Sequence, residues 1–241
     1  MFPVFSVVSV VNLALSLNMN LTLFDLDHTL LPLDSDYEWG AFLVRIGVQD
    51  AILFAEKNAE FYESYKAGTL DIHAYVNFLT AGLREHPRHE IESWHAQYMS
   101  EVILPQIQPT ALALVQQHQA AGDLCAIVTA TNSFVTRPIA ERFGITHLIA
   151  TELEQTAQGQ FTGNILGTPS FREGKITRVQ EWLSSLGQSW NDFARTTFYS
   201  DSFNDLPLLE QVSHPIATNP DGRLREHAHT HQWPILSLFS Q

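Results

Sequence analysis

The sequence is poor in cysteine and in positive charge, and each shortage excludes a class of protein. Cys125 is the single cysteine, so the chain forms no internal disulfide and nothing in it requires an oxidising compartment. It lies in an apolar run, which indicates a buried, inert thiol. The 13 lysines and arginines face 26 aspartates and glutamates, which gives a formal net charge of −13. Because a surface of that sign repels a phosphate backbone, we expect the protein to bind no nucleic acid. Since nothing requires an oxidising compartment, we expect it to be cytoplasmic.

Charged side chains are also missing from residues 1–18. Without a basic region this apolar segment differs from a secretory signal, and it is short for a membrane span. We interpret residues 1–18 as an extension ahead of a folded domain that begins near Met19. A membrane-proximal anchor is the less favoured alternative, so we expect no membrane partner. The sequence does not indicate an oligomeric state.

Short apolar runs alternate with helical patterns after Met19. This alternation predicts an α/β fold, a Rossmann-like parallel sheet with helices on both faces. The predicted strands are residues 21–24, 124–128, 147–150, 196–199 and 214–217. The predicted helices are residues 110–121, 134–143, 174–186 and 204–210. Residues 152–164, with a turn at Gly159, have the pattern of a hairpin.

Residues 34–108 interrupt this alternation. They contain no convincing strand but several amphipathic helical patterns. We predict that they form a small helical cap inserted after the first strand, above the carboxyl ends of the strands, where open α/β sheets bind ligands. Residues 19–33 and 109–241 then form the core domain.

Two aspartates, Asp25 and Asp27, follow the first predicted strand. Residues spaced by two at the end of a strand point to the same side. Carboxylates held close together repel, so a cation or a proton must neutralise them. Such a pair suits one ionised nucleophile and one residue that carries a proton, although a polar strand end with turn caps explains the same pattern.

Polar groups also follow later strands of the predicted sheet. Thr129 ends the second strand, and its hydroxyl and the backbone around Ala130 precede a helix, an arrangement typical of an anion site. Lys175 begins a predicted helix. Asp201 and Asp205 follow the fourth strand and would bring two more carboxylates, the ligands that Mg²⁺ prefers, to the same edge. Helix caps and a solvated lysine are the structural alternatives.

Taken in order, these features are D-x-D-x-T, a hydroxyl at a strand end, a lysine at a helix start and S-D-x-x-N-D. The set resembles the four motifs of the haloacid dehalogenase superfamily of phosphotransfer enzymes, across most of the chain after Met19. The predicted helical insert resembles the cap of the phosphoserine-phosphatase-like branch. The resemblance implies a magnesium-dependent phosphatase that acts on a small phosphorylated metabolite through an aspartyl-phosphate.

The resemblance also implies the roles of the catalytic and phosphate-binding residues. Asp25 would attack phosphorus, and Asp27 would protonate the leaving oxygen and then accept a proton from the hydrolytic water. Thr129, Ala130 and Lys175 would hold the phosphoryl oxygens.

The implied magnesium ligands are Asp25, the Asp27 backbone carbonyl and Asp201, with Asp205 in a supporting position. Lys175 would also offset the repulsion among these clustered carboxylates.

The substrate is less constrained than the chemistry. In phosphoserine phosphatases an acid nine positions after the nucleophile binds the substrate amine, and Asp34 stands there. Their cap arginine, which binds the substrate carboxylate, aligns with Asn77. Asp34, Asp36 and Glu38 together would favour an amine or a ring-bearing cation, and histidinol phosphate is our best guess. The alternative is that these acids face solvent at a helix N-terminus.

Other functions stay open at this point. They are phosphoserine hydrolysis, transfer of the phosphoryl group to an alcohol, and a regulatory binding protein on the same fold. The alternating His227, His229 and His231 suggest a zinc site if they lie on a strand, but without a nearby acidic or cysteine ligand we prefer a polar, solvent-facing edge.

Overall fold

The computed structural model describes residues 19–239 and contains a six-stranded parallel sheet. Its strand order is β3-β2-β1-β6-β7-β8. The strands are β1 (Asn20–Phe24), β2 (Leu124–Asn132), β3 (His147–Thr151), β6 (Arg195–Ser200), β7 (His214–Thr218) and β8 (Ile235–Leu236). An antiparallel hairpin of β4 (Leu153–Gln155) and β5 (Phe161–Ile165) stands apart. The interpretation of residues 1–18 lies outside the described residues.

Helices cover both faces of the sheet, which confirms the predicted fold class. They are α1 (Ser35–Arg45), α2 (Ala51–Ala67), α3 (Ile72–Thr80), α4 (Arg88–Tyr98), α5 (Pro109–Ala120), α6 (Ser133–Arg142), α7 (Glu173–Ser185), α8 (Leu206–Gln211) and α9 (Gly222–His231). A 3₁₀ turn, Phe203–Asp205, leads into α8. No helix within residues 19–239 is long and apolar enough to cross a membrane.

The central strand β1 is buried on both faces. Phe24 packs into one apolar cluster with Ile127, while Leu21 and Leu23 pack into a second cluster with Val128. A strand covered from both sides carries a nearly continuous apolar run rather than an alternating one, and this is the pattern of the sequence LTLF. Cys125 is buried as expected. Burial and the charge of Asp123 raise the pKa of its thiol to about 12.

All of α1 to α4 lie between β1 and β2. Aspartates begin three of these helices, because a carboxylate accepts hydrogen bonds from the free N–H groups of the first turn. Asp34 accepts from the backbone of residues 36 and 37, Asp50 from that of residue 53, and Asp71 from that of residues 73 and 74. The helical content agrees with the expected cap, and its boundaries at residues 34 and 108 stay a prediction.

The strand order creates a ligand-binding crevice beside β1. The chain runs from β1 to β2 and β3 on one side, then crosses to β6 and β7 on the other. Where the direction of winding reverses, the connections leave in opposite directions and open a crevice at the carboxyl ends of the strands. The residues that follow β1, β2 and β6 meet there.

The alternating histidines lie on α9 and not on the strand that the zinc alternative would require. Asp221 caps this helix by accepting from the backbone N–H of Leu224 at 2.7 Å. Leu224 and Ala228 are its buried residues, and their spacing of four is helical. His227 and His231 therefore stack one turn apart, with ring centroids separated by 3.9 Å. Within the described chain no three His, Cys, Asp or Glu side chains form a ready-made metal site, here or elsewhere.

Candidate active site

Asp25 lies immediately beyond β1, where its backbone N–H donates to the Tyr199 carbonyl of β6 at 2.9 Å. This bond extends the β1–β6 ladder by one residue and holds the backbone at the edge of the sheet. The Asp25 side chain is 7 % exposed. Burial raises the pKa of its carboxyl, and the nearby Lys175 opposes the shift.

Lys175, in the first turn of α7, bridges two of the predicted aspartates. Its Nζ donates to Asp25 Oδ1 at 2.9 Å and to Asp205 Oδ2 at 2.6 Å. The lysine is 2 % exposed. Burial alone would lower its pKa, but Asp205 and Asp25 outweigh that effect and raise it above the usual range. The solvated lysine considered from the sequence is therefore wrong.

The residues after β6 bring the other carboxylates to the same place. Asp205 is buried, and its Oδ2 also accepts from Ser200 Oγ at 2.7 Å. Burial raises the pKa of Asp205 to about 6 against the pull of Lys175. Burial also raises the pKa of Asp201 well above its usual range, with further contributions from Asp25 and Asp205. Lys175 thus pairs with Asp25 and Asp205, while Asp201 accepts from the Thr29 hydroxyl.

Thr29 links two of these carboxylates. Its buried hydroxyl lies 3.1 Å from Asp201 Oδ1 and 3.4 Å from Asp25 Oδ2. Asp25 and Asp201 come from different strands and 176 positions apart in the chain, so this contact shows how closely their side chains converge.

Asp27 faces the same crevice from the loop after β1. Its Oδ1 accepts from the backbone N–H of Ser35 at 2.8 Å, and its Oδ2 accepts from Thr131 Oγ1 at 2.8 Å. Burial and the charge of Asp34 raise the pKa of Asp27 to about 6. Hydrogen bonds therefore orient both oxygens of Asp27, and the pKa of its carboxyl lies close to neutral pH.

Thr129 and Ala130 lie at the end of β2, in the wall of the same crevice. Thr129 is buried, and its Oγ1 accepts from the backbone N–H of Thr131 at 3.2 Å. Next along the chain, Asn132 caps α6 by accepting from Val135 N at 3.1 Å. The Thr129 hydroxyl therefore lies close to the start of α6, where helix capping also occurs, and the anion site stays a prediction.

A cavity of about 1370 Å³ connects these groups with the helices between β1 and β2. Its floor is formed by the predicted motif residues and a neighbouring threonine, namely Asp25, Asp27, Thr129, Ala130, Thr131, Lys175, Asp201 and Asp205. Its opposite wall contains aromatic residues of α1, α2 and α3, namely Tyr37, Phe54, Phe61, Tyr62, Tyr65 and Tyr75. The volume accommodates a small metabolite with an apolar or ring-bearing body.

Asp34, Asp36 and Glu38 all line this cavity, but their environments differ. Asp34 caps α1, with its Oδ1 3.0 Å from Asp36 N and 2.9 Å from Tyr37 N. Glu38 is half-buried. Asp36 is buried at 5 % exposure and accepts from Asn132 Nδ2 at 3.1 Å. A location in solvent is therefore wrong for Asp36.

Asn77 does not face the cavity. It is exposed on α3, and its Nδ2 lies 3.5 Å from the Gly163 carbonyl of β5. The same helix presents Ile72 and Tyr75 to the cavity instead. The Cα of residue 77 is on the side of α3 that faces the hairpin, so an arginine there would not point directly into the cavity. This placement does not support the alignment of Asn77 with a substrate-binding arginine.

Contacts between the C-terminal end of α2 and the core went unrecognised in the sequence. The Tyr65 hydroxyl and Ser202 Oγ are hydrogen-bonded at 2.8 Å, and Asn204 Nδ2 donates to the Tyr65 carbonyl at 3.2 Å. Arg172 Nη1 donates to the Gly68 carbonyl at 2.7 Å. The serine and asparagine lie inside the S-D-x-x-N-D motif, so the motif that supplies acids also holds a helix over the cavity.

The haloacid dehalogenase-like hydrolase family matches residues 22–210, which include every motif residue described above. The chain belongs to this family. Among curated relatives, a histidinol-phosphatase of Neisseria meningitidis is 44 % identical over 219 residues, covering 91 % of this chain and 99 % of the relative. A phosphoserine phosphatase of Mycobacterium tuberculosis is 30 % identical over 215 residues, covering 88 % of this chain and 68 % of the relative.

Solved structures agree with this assignment. A Bordetella pertussis protein described as of unknown function is 50 % identical, with a TM-score of 0.87 over 92 % of this chain and 100 % of that one. A substrate-bound phosphoserine phosphatase has a TM-score of 0.64 at 18 % identity, over 91 % of this chain and 93 % of that one, and shows the fold alone. The chain is therefore a phosphatase of the haloacid dehalogenase-like family, and a purely regulatory protein on this fold is set aside.

Proposed function

We propose that this phosphatase is a magnesium-dependent histidinol-phosphatase that works through an aspartyl-phosphate on Asp25. The substrate assignment rests on the similarity of this chain, along nearly its full length, to the Neisseria meningitidis histidinol-phosphatase. The acidic, aromatic cavity above Asp25 supports it, because histidinol phosphate carries an amine and an imidazole but no carboxylate. Such a ligand offers no carboxylate for a cap arginine to bind.

In this proposal Asp25 is the nucleophile and Asp27 is the acid and base. One Asp25 oxygen forms a bond to phosphorus while the bond from phosphorus to the leaving oxygen breaks, and Asp27 gives that oxygen its proton. Asp27 then takes a proton from the water that hydrolyses the aspartyl-phosphate. A pKa of about 6 suits both transfers, because a group that titrates near the working pH can donate and accept.

Thr129, the backbone at Ala130 and Lys175 would hold the phosphoryl oxygens. Lys175 is held 2.9 Å from Asp25 Oδ1, so its charge lies next to the atom that the phosphoryl group approaches. In phosphoryl transfer most of the rate comes from such positioning and charge stabilisation.

The carboxylates fit a magnesium ion. Lys175 pairs with Asp25 and Asp205 but not with Asp201. Burial and the charges of Asp25 and Asp205 raise the pKa of Asp201 well above normal, so a further cation would relieve the site. Mg²⁺ needs only one or two carboxylates besides substrate and water oxygens. We assign Asp25, the Asp27 carbonyl and Asp201 as ligands. Asp205, whose Oδ2 already accepts from Lys175 and Ser200, would support them. When bound, the ion would neutralise charge on the phosphoryl oxygens.

Phosphate release tests this proposal. The substrates are histidinol phosphate, phosphoserine, sugar phosphates and an aryl phosphate, each with Mg²⁺ and with EDTA. We expect Mg²⁺-dependent release that is fastest on histidinol phosphate. Preference for phosphoserine would refute the substrate assignment. Release of equal rate in EDTA would refute the metal assignment.

Two further measurements test the chemistry at Asp25. The isosteric variant Asp25→Asn should lose turnover while keeping its thermal unfolding transition, and near wild-type activity would exclude Asp25 as nucleophile. Borohydride reduction of the quenched enzyme should convert residue 25 to homoserine. Added alcohol acceptors should leave free phosphate as the product, whereas a new phosphate ester would identify a phosphotransferase.

A further inference from the structure

The cavity wall formed by α1 has acidic charge and no counter-cation of its own. Burial raises the pKa of Asp36 well above normal, and the charges of Asp34 and Asp27 raise it further. Among the described residues no lysine, arginine or histidine nitrogen lies within 4.0 Å of Asp36, the limit for an ion pair. Lys175, a buried cation that lines the same cavity, is already bound to Asp25 and Asp205. Lys66, Arg223 and Arg225 also line the cavity but form no ion pair with Asp36, so a cationic ligand can supply one.

Asp36 is held in one orientation with one oxygen unused. Its Oδ1 accepts from Asn132 Nδ2 at 3.1 Å, and no donor within the described chain reaches its Oδ2. The orientation of the Asn132 amide follows from the fold, because its Oδ1 must accept from Val135 N to cap α6. Its NH₂ group is therefore turned toward Asp36. The result is a positioned carboxylate at 5 % exposure in the cavity wall.

The two neighbouring acids are less suited to this task. Asp34 is only half-buried, and its Oδ1 is used by the backbone of residues 36 and 37. Glu38 is also half-buried and so remains in contact with water. Water screens a charge, so a carboxylate excluded from solvent attracts a cation more strongly than an exposed one does.

Tyr75 completes the surroundings of Asp36. Its ring packs edge-on against Phe61 with centroids 5.3 Å apart, and it lines the cavity. Burial raises the pKa of this phenol well above normal, and Asp36 is the charge that contributes most after burial. A cationic ring or amine would meet a carboxylate, a phenol and aromatic faces here.

We infer that Asp36, positioned by Asn132, binds the cationic end of the substrate and sets the preference for cationic over neutral phosphomonoesters. This inference rests on the proposed function, since it names the residue that recognises a substrate such as histidinol phosphate. It assigns to Asp36 the role that the alignment with phosphoserine phosphatases gave to Asp34.

The test compares histidinol phosphate with 3-phenylpropyl phosphate, which has a ring and a similar length but no cation. In Asp36→Asn we expect kcat/KM for histidinol phosphate to fall about 10- to 100-fold, as for loss of a charge-assisted hydrogen bond. Activity on 3-phenylpropyl phosphate should stay within threefold of wild type (about 0.6 kcal/mol), which also shows that the variant is folded. Glu56→Gln, a matched control at an exposed acid of α2 outside the cavity lining, should keep the wild-type preference.

The outcomes separate the two proposals. If the wild-type enzyme hydrolyses both esters equally well, the proposed function is wrong. If the wild-type enzyme prefers histidinol phosphate and Asp36→Asn keeps that preference, the inference about Asp36 is wrong. Should Asp36→Asn fail to fold, Asn132→Ser replaces it, because serine still caps α6 but cannot reach across to hold Asp36. An unchanged preference in Asn132→Ser would then overturn the inference.

Discussion

The contacts of Lys175 lead to a prediction about stability. This lysine is 2 % exposed and lies 2.9 Å from Asp25 and 2.6 Å from Asp205. In Lys175→Met the aliphatic part of the side chain is largely retained, but two buried carboxylates lose the one cation that pairs with them among residues 19–239. Removing one partner of a buried ion pair typically costs about 3–5 kcal/mol. Since the free energy of unfolding of a domain is about 5–15 kcal/mol, this is a large part of the total.

Urea unfolding at pH 7 in EDTA measures the cost without compensation by a metal ion. The chain offers a matched control in Lys57, whose Nζ lies 2.7 Å from Glu60 Oε2 on the surface of α2. Exposed pairs of this kind contribute little, so Lys57→Met should unfold at the wild-type urea concentration.

The pH dependence of Lys175→Met follows from the carboxylates that remain. The pKa of Asp205 is already raised to about 6 from an ordinary value of 3.8, and loss of the lysine raises it further. The folded variant therefore binds a proton more tightly than the unfolded chain does. Its stability should recover as the pH falls from above 6 toward 3.8. A loss below about 1 kcal/mol at pH 7, the size typical of an exposed pair, would refute the buried ion-pair network.

Three further predictions concern single side chains. Asp36→Asn should raise the free energy of unfolding by about 1–3 kcal/mol at pH 7, because it removes a poorly compensated buried charge. The raised pKa means that the gain should vanish toward pH 3.8, where urea titrations of both proteins should coincide. Thr131→Val removes the 2.8 Å bond to Asp27 and should lower kcat about tenfold, with a shift of the acidic limb of the pH–rate profile to higher pH. Asp201→Ala should raise the Mg²⁺ concentration for half-maximal rate about tenfold or more, and an unchanged titration would exclude Asp201 as a ligand.

Much of the fold could be predicted because its signals are local. The strands β1, β2, β3, β6 and β7 lie within a few residues of the predicted runs, and the hairpin of β4 and β5 lies where the Gly159 turn places it. A strand buried on both faces needs an uninterrupted apolar segment, and such segments stand out from the helical patterns around them. The two-residue β8 is too short to give a signal of this kind.

The histidines of α9 show where a local pattern misleads. Their alternation has a period of two, but the helix is determined by the Asp221 cap and by burial of Leu224 and Ala228. Polar residues on an exposed surface are weakly constrained, so their spacing carries less information than that of the apolar residues beneath them.

The order of the acids, the hydroxyl and the lysine along the chain was enough to predict the family of phosphatases. The surroundings of each acid became clear only from the packed fold. Asp34 and Asp36 look equivalent along the chain, yet the first caps a helix and the second is buried against Asn132, 96 positions away. Charge and proton affinity depend on burial and on neighbours that the fold brings together, and these are properties of the packed chain.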